Sequence, residues 1–382
     1  MCIRDRFIAI ETLCQLEKNR LPVNLLFDRL VSRYEISEND RQLATNIIFG
    51  VLRRRQSLDL ILKPLCTRPL NKLKPFVHQA LAVALYQLFF LDRIPESAAV
   101  NESVKALQAA HLPKQLQGFV NGVLRNGVRR REELQQLLDD AGETVLNHPL
   151  WLTDRWRKRF GPPEAIRICH HNNEQPPLTL QVNRLRCSRN TLLRLLTEAG
   201  ISAEEGKYGE DAIILKEGHG SPATLPGFHE GFFQVQDQGA QLLPLLLGPL
   251  VPGGSYLDGC AGVGGKTSVL IQHGQPIQTM IVGVEPEEER QHRFRENMRR
   301  LHPDLEVSLS GTTLQDYVAM SNTLFHGILL DAPCSGTGVI GRHPDIRWNR
   351  RIEDLAVYQQ TQFTLLQAAA RRLHPDGTMV YA

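Results

Sequence analysis

The sequence has no Cys-x-x-Cys pair, and its seven cysteines (Cys2, Cys14, Cys66, Cys169, Cys187, Cys260 and Cys334) are odd in number and widely spaced. That argues against a disulfide framework and against a zinc site, so no metal is expected, and a reducing, cytoplasmic compartment fits best. Long apolar runs are missing too. Nothing approaches the ~18 residues of a membrane span, and the opening MCIRDRFIAIETL carries charge where an export signal needs an apolar core. Neither a membrane partner nor secretion is expected. Internal repeats and low-complexity tracts are also absent, which excludes solenoids and long disordered arms.

What is present is an ordinary globular composition, 42% hydrophobic and 22% charged, over 382 residues, enough for two or three domains. The charge is uneven. Residues 1–140 hold 21 Lys and Arg against 15 Asp and Glu, while the remainder holds 23 against 26. A basic N-terminal part points to a polyanion partner, or to no more than a solvated helical surface. A monomer is expected.

Helical spacing dominates the first 140 residues. Phe7, Ile10, Leu13 and Cys14 form one stripe, and Val23, Leu26 and Leu30 form another beyond a break at Pro22. Ser37 is placed to cap a helix running through Ile47, Ile48 and Val51 to the cluster Arg53, Arg54 and Arg55. A helix from Pro75 is apolar nearly all round and belongs at the centre of a bundle. A further one, Pro113 to Arg131, joins apolar Leu116, Phe119 and Val120 to Arg125, Arg129, Arg130 and Arg131. These arginines suit RNA phosphates, and equally suit helix C-termini, where cations are favoured. After Pro149 the texture becomes mixed, with a strand at LTLQVNRL and a helix from Ser188 to Ala199. From Gly253 strands and helices alternate. The expected fold class is multidomain: an all-α bundle (1–140), a small α+β connector (150–245) and an α/β, Rossmann-like parallel sheet (246–382).

Two strand ends carry the candidate chemistry. Asp258, Gly259, Cys260, Ala261, Gly262, Val263, Gly264, Gly265, Lys266 and Thr267 form a glycine loop. A phosphate-binding P-loop needs glycine where Cys260 stands, and a dinucleotide fingerprint needs it where Thr267 stands, so both fail. An S-adenosylmethionine loop survives. Small residues at 261–265 let backbone N–H groups reach the methionyl carboxylate, with Lys266 adding a cation. Glu285, ending the next strand, is placed to accept from a ribose diol. The second strand end reads LLDAPCSGTGVIGRHPDIR, in which Asp331 and Cys334 are the candidate reacting groups.

DRQLATNIIFGVLRRRQSLDLIL and FVNGVLRNGVRR resemble the NusB-like RNA-binding domain found ahead of certain RNA methyltransferases. Gly231, Phe232, Phe233, Gln234, Gln236 and Asp237 resemble the same family's lead-in to its catalytic domain. From Asp258 to Ala382 the chain resembles the RNA 5-methylcytosine methyltransferases, with CAGVGGKT an altered form of their cofactor loop and DAPCSGTGVIGRHPDIRW their most specific motif. The resemblance implies small-subunit ribosomal RNA as partner and transfer of a methyl group from S-adenosylmethionine to carbon 5 of cytosine. RNA contacts fall to Arg53, Arg54, Arg55, Arg125, Arg129, Arg130 and Arg342, and the base edge to Asp331.

The chemistry needs a thiolate because carbon 5 becomes nucleophilic only after addition at carbon 6. The family's nucleophile stands in a Thr-Cys pair after the strand read here as TMVYA, with the Cys334 position assisting release. No such pair occurs in these residues, so the chain is expected to be a fragment, with a sheet edge left open and little or no turnover. Thr312 stands where the family has a third cofactor acid, with Asp316 a nearby substitute. Two alternatives share these residues: Cys334 as the nucleophile itself, and a non-catalytic RNA-binding or assembly protein with a relic pocket.

Overall fold

Helix Pro75–Phe90 is apolar on every side, and it lies where that pattern demands, with 11 of its 16 residues buried. Around it pack Ile3–Lys18, Glu38–Arg53, Arg55–Leu62, Glu96–Ala109 and Lys114–Arg129, with Val23–Val31 against the first of these and Arg131–Ala141 against the third. Pro22 caps Val23–Val31, and Ser37 Oγ accepts from the Asp40 N–H at the start of Glu38–Arg53. The computed structural model describes residues 3–34, 36–216 and 221–382, and Cys2 lies outside them.

The chain divides into two units, one comprising residues 1–176 with 335–352, the other 177–334 with 353–382. The first unit includes the helices Leu150–Phe160 and Pro162–Asn173, joined around Leu146, Trp156 and Cys169. It also takes in 335–352, the second half of the motif around Cys334. That segment is tied down by long-range bonds. Arg347, 1% exposed, donates to the carbonyls of Asn147 (2.9 Å) and Asn172 (2.8 Å) and to Asn173 Oδ1 (2.7 Å). Burial lowers its pKa to about 9. The Trp348 indole N–H donates to the Leu52 carbonyl, and Asp345 accepts from the Val23 N–H.

The second unit holds two sheets. Strands β1 (Leu178–Val182), β2 (Ala203–Glu205), β3 (Ala212–Leu215) and β4 (Phe233–Val235) pair antiparallel in the order β2-β3-β1-β4. Strands β5 (Ser255–Asp258), β6 (Met280–Val284), β7 (Ser308–Ser310), β8 (Phe325–Leu330) and β9 (Leu373–Tyr381) are parallel, in the order β7-β6-β5-β8-β9. This is the expected doubly wound sheet. The chain reverses direction across the sheet between β5 and β8, and ligands in such sheets bind outside the carboxyl ends of the strands at that point. The loops leaving these two strands carry the glycine loop and Asp331.

Candidate active site

The glycine loop is shaped by backbone conformations that side chains resist. Gly262 (φ +56°) and Gly264 (φ +89°) are left-handed, and a Cβ on Gly264 would stand 2.6 Å from Met298 Cε. Helix Gly265–Gly274 follows at once, so its first-turn N–H groups face the loop. The loop is held from outside. Asn297 Nδ2 donates to the Val263 carbonyl (2.9 Å), and Gln234 Nε2 donates to the Gly265 carbonyl (2.8 Å). This gives the Phe233–Gln236 stretch a task that its sequence alone did not state: it buttresses the glycine loop.

Asp258 ends β5 fully buried. Its Oδ2 accepts from Thr267 Oγ1 (2.7 Å), tying the strand to the following helix, while Oδ1 has no partner. Burial raises its pKa to about 6. Glu285, 4% exposed at the end of β6, accepts from the Glu287 N–H through Oε1, and the nearest cation, Arg290, is 3.9 Å from Oε2. A buried carboxylate with lone pairs to spare, an orphaned Asp258 oxygen and a glycine cradle fit the polar groups of S-adenosylmethionine. Glu285 and Asp258 would hold its hydroxyl and amino groups, and the loop N–H groups its carboxylate.

The Lys266 ammonium pairs with Asp331 Oδ2 at the end of β8, joining the glycine loop to the loop that leaves β8. Asp316 is exposed and lies in a helix cap, accepting from Thr313 Oγ1 (2.6 Å) while its N–H donates back to that oxygen (3.2 Å). Thr312 Oγ1 lies 2.9 Å from Ser310 Oγ.

The two cysteines of the region differ sharply. The Cys260 thiol is pushed up to about 12, first by burial and then by the charges of Asp258, Asp331 and Glu285, so it stays protonated. Cys334 is the one exposed cysteine among the described residues. Its loop is held at the two residues just before the cysteine. Gln362 Nε2 donates to the Pro333 carbonyl (3.0 Å), and the Ala332 N–H donates to the Ala382 carbonyl (3.2 Å). Gln362 was not legible in the sequence, since nothing in a helical stripe says which loop it faces.

The arginines assigned to RNA separate. Arg53 is 8% exposed and donates to the Gly341 carbonyl, so it holds the 335–352 segment and is not open to a phosphate. Arg54 is half-buried over the Phe90 ring. Arg55 pairs with Glu17 (3.0 Å) over the Trp348 ring. Arg130 pairs with Glu133 (2.6 Å) and also donates to the Pro64 carbonyl. Arg125 and Arg129 are exposed, and Arg342 is half-buried within 335–352.

Residues 245–382 match the family described as 16S rRNA methyltransferase RsmB/F, residues 4–129 the NusB family, and residues 148–220 the ferredoxin-like domain of the RsmF/B-like methyltransferases. Ribosomal RNA small subunit methyltransferase B of Erwinia tasmaniensis is 40% identical over 347 residues, covering 91% of this chain and 79% of the relative. A methyltransferase homologue from Pyrococcus horikoshii is 29% identical with a TM-score of 0.54, over 62% of this chain and 73% of that one. NSun6 from the same organism, solved with SFG, shares the fold at 17% identity and a TM-score of 0.54, over 61% and 82%.

Proposed function

Because this chain belongs to the 16S rRNA methyltransferase RsmB/F family, we propose that it directs a methyl group from S-adenosylmethionine to carbon 5 of a cytosine in small-subunit ribosomal RNA, through a cysteine adduct. The observation that carries the reading is the exposed Cys334 on the loop leaving β8, three residues after an Asp331 already tied to the cofactor loop by Lys266. S-adenosylmethionine, when bound, supplies an electrophilic methyl group. Asp331 Oδ1 accepts from the cytosine N4 amino group and holds the ring, as carboxylates do with that edge. A thiolate adds at carbon 6, and the electron pair displaced to carbon 5 takes the methyl. The carbon-5 proton then leaves to a base, and the thiolate is eliminated. The target base must leave its stack to meet these groups, which favours unpaired RNA.

The resemblance gives the attacking thiolate to a cysteine following β9 and gives Cys334 the role of assisting release. In support, Ala382 pairs with Leu330 and Ala332, so that position adjoins the Cys334 loop. Cys334 is the last cysteine of the 382 residues. The exposure of Cys334 favours a second reading, in which Cys334 itself attacks carbon 6.

RNA carrying 5-fluorocytosine tests both, because fluorine blocks the final elimination and traps the adduct. The first reading predicts no trapped complex with these 382 residues. A complex lost in Cys334→Ser moves the nucleophile to Cys334, and a complex that survives Cys334→Ser overturns both assignments.

A further inference from the structure

In the first unit, the helices Leu150–Phe160 and Pro162–Asn173 together hold five Lys and Arg against two Asp and Glu. Both acids are taken, Asp154 by Arg157 (3.2 Å) and Glu164 by Arg167. That leaves Arg155, Lys158 and Arg159, all exposed and without a carboxylate partner among the described residues. They stand three and four positions apart on one helix, so they share a face, with Cβ atoms about 5–6 Å from one another. Like charges at that spacing repel, and the arrangement weakens the helix that carries it. The opposite face is spent on packing. Leu152 and Trp156 join one apolar cluster with Ile340 and Ile346, from the segment that continues the chain from Cys334.

Cations in the last turn of a helix are ordinarily explained by its dipole. That explanation covers Arg157, Lys158 and Arg159 but not Arg155, which stands before the last turn. The charged face also ends on an apolar ring left in water. Phe160 is 49% exposed, and the Arg159 guanidinium lies 5.5 Å from its centre. Unstacked bases of single-stranded RNA rest on such rings and on guanidinium planes, while cations alongside take the phosphates. An acidic protein segment would use the cations and leave the ring uncovered, so the combination favours RNA.

We propose that the outer face of helix Leu150–Phe160 docks an unpaired stretch of the RNA substrate, with phosphates against Arg155 and Lys158 and a base against Phe160 and Arg159. The bound phosphates relieve the repulsion that the free helix carries. The proposal rests on the reading that the chain acts on RNA, and names where the strand is gripped away from the target cytosine.

The test uses the full chain and a single-stranded RNA oligonucleotide carrying 5-bromouridine. Affinity is measured across a salt series for wild type and for Arg155→Gln/Lys158→Gln, the melting temperature of each is recorded, and the irradiated wild-type complex is mapped by mass spectrometry. The expected result is binding about 10-fold weaker or more in the variant, a log–log salt slope shallower by about 1.4 for two lost phosphate contacts, and a cross-link on the peptide holding Phe160. Melting should be equal or higher in the variant, because two repelling charges are gone. Arg155→Lys/Lys158→Arg keeps both charges and should keep the wild-type slope. A melting temperature lowered by the glutamines assigns the cations to the helix itself and overturns the proposal. Equal affinity and slope in wild type and the glutamine variant, with wild type binding RNA, overturns the docking surface alone. Polyglutamate that competes as well as unlabelled RNA, with no cross-link at Phe160, also overturns it, since any polyanion would then serve. A wild-type chain that does not bind RNA overturns both this proposal and the reading beneath it.

Discussion

Asp258 carries a cost that its neighbours only partly offset. Burial raises its pKa from 3.8 to about 6, against the opposing pull of the Thr267 hydroxyl. An acid raised in the folded state is stabilising below its unfolded pKa, and that contribution is lost as pH rises through the folded value. Two units correspond to about 3 kcal/mol, so the folded chain without cofactor should lose stability between about pH 4 and pH 6. Asp258→Asn removes the charge and keeps an acceptor for Thr267. Its melting temperature should match wild type near pH 4 and exceed it at pH 7, while its affinity for S-adenosylmethionine falls. Glu285 is argued as the acceptor of cofactor hydroxyls, and a charged hydrogen bond of that kind contributes about 1.5–3 kcal/mol. Calorimetry on Glu285→Ala should therefore show at least about 10-fold weaker cofactor binding with little change in melting. Equal affinities would remove Glu285 from the site.

At the scale of elements, the glycine loop and the helix after it were readable because their conformation is local. Small residues, a left-handed turn and a helix start all lie within ten positions. Gly264 is the sharpest case, since any side chain meets Met298 and Phe294 and must also take φ +89°. Gly264→Ala should cost about 1–3 kcal/mol in urea unfolding and should weaken cofactor binding as well. The central helix Pro75–Phe90 was equally plain from its all-round apolar pattern. Helix Glu96–Ala109 was less plain, because its buried face mixes Val100 and Leu107 with Ala99, Glu102, Ser103 and Ala106. The destinations of long side chains were hidden too. Lys266 sits where a carboxylate-binding cation is expected, yet it turns to Asp331, 65 residues along the chain. Arg53 belongs to a basic cluster and serves as an internal clamp on Gly341.

For the whole molecule, the order of helical bundle, small α+β part and parallel sheet was legible from periodicity. The ownership of 335–352 was not. DAPCSGTGVIGRHPDIRW reads as one continuous motif, but its parts after Cys334 are fixed by partners such as Val23, Leu52 and Asn147, far away in sequence. Spacing reveals local form and is silent about such partners. Hydrogen exchange should show amides of 335–352 protected together with the helices of the first unit. Arg347→Leu leaves the buried carbonyls of Asn147 and Asn172 without their donor, and should release that segment's protection at a cost of about 2–5 kcal/mol.

The central claim is a methyl group placed on carbon 5 of a cytosine in small-subunit ribosomal RNA. The most direct measurement incubates small-subunit ribosomal RNA with an excess of the chain and labelled S-adenosylmethionine, then digests the RNA and identifies the labelled nucleoside. The account predicts that label enters the RNA only as 5-methylcytidine. Label on another atom or base would contradict it.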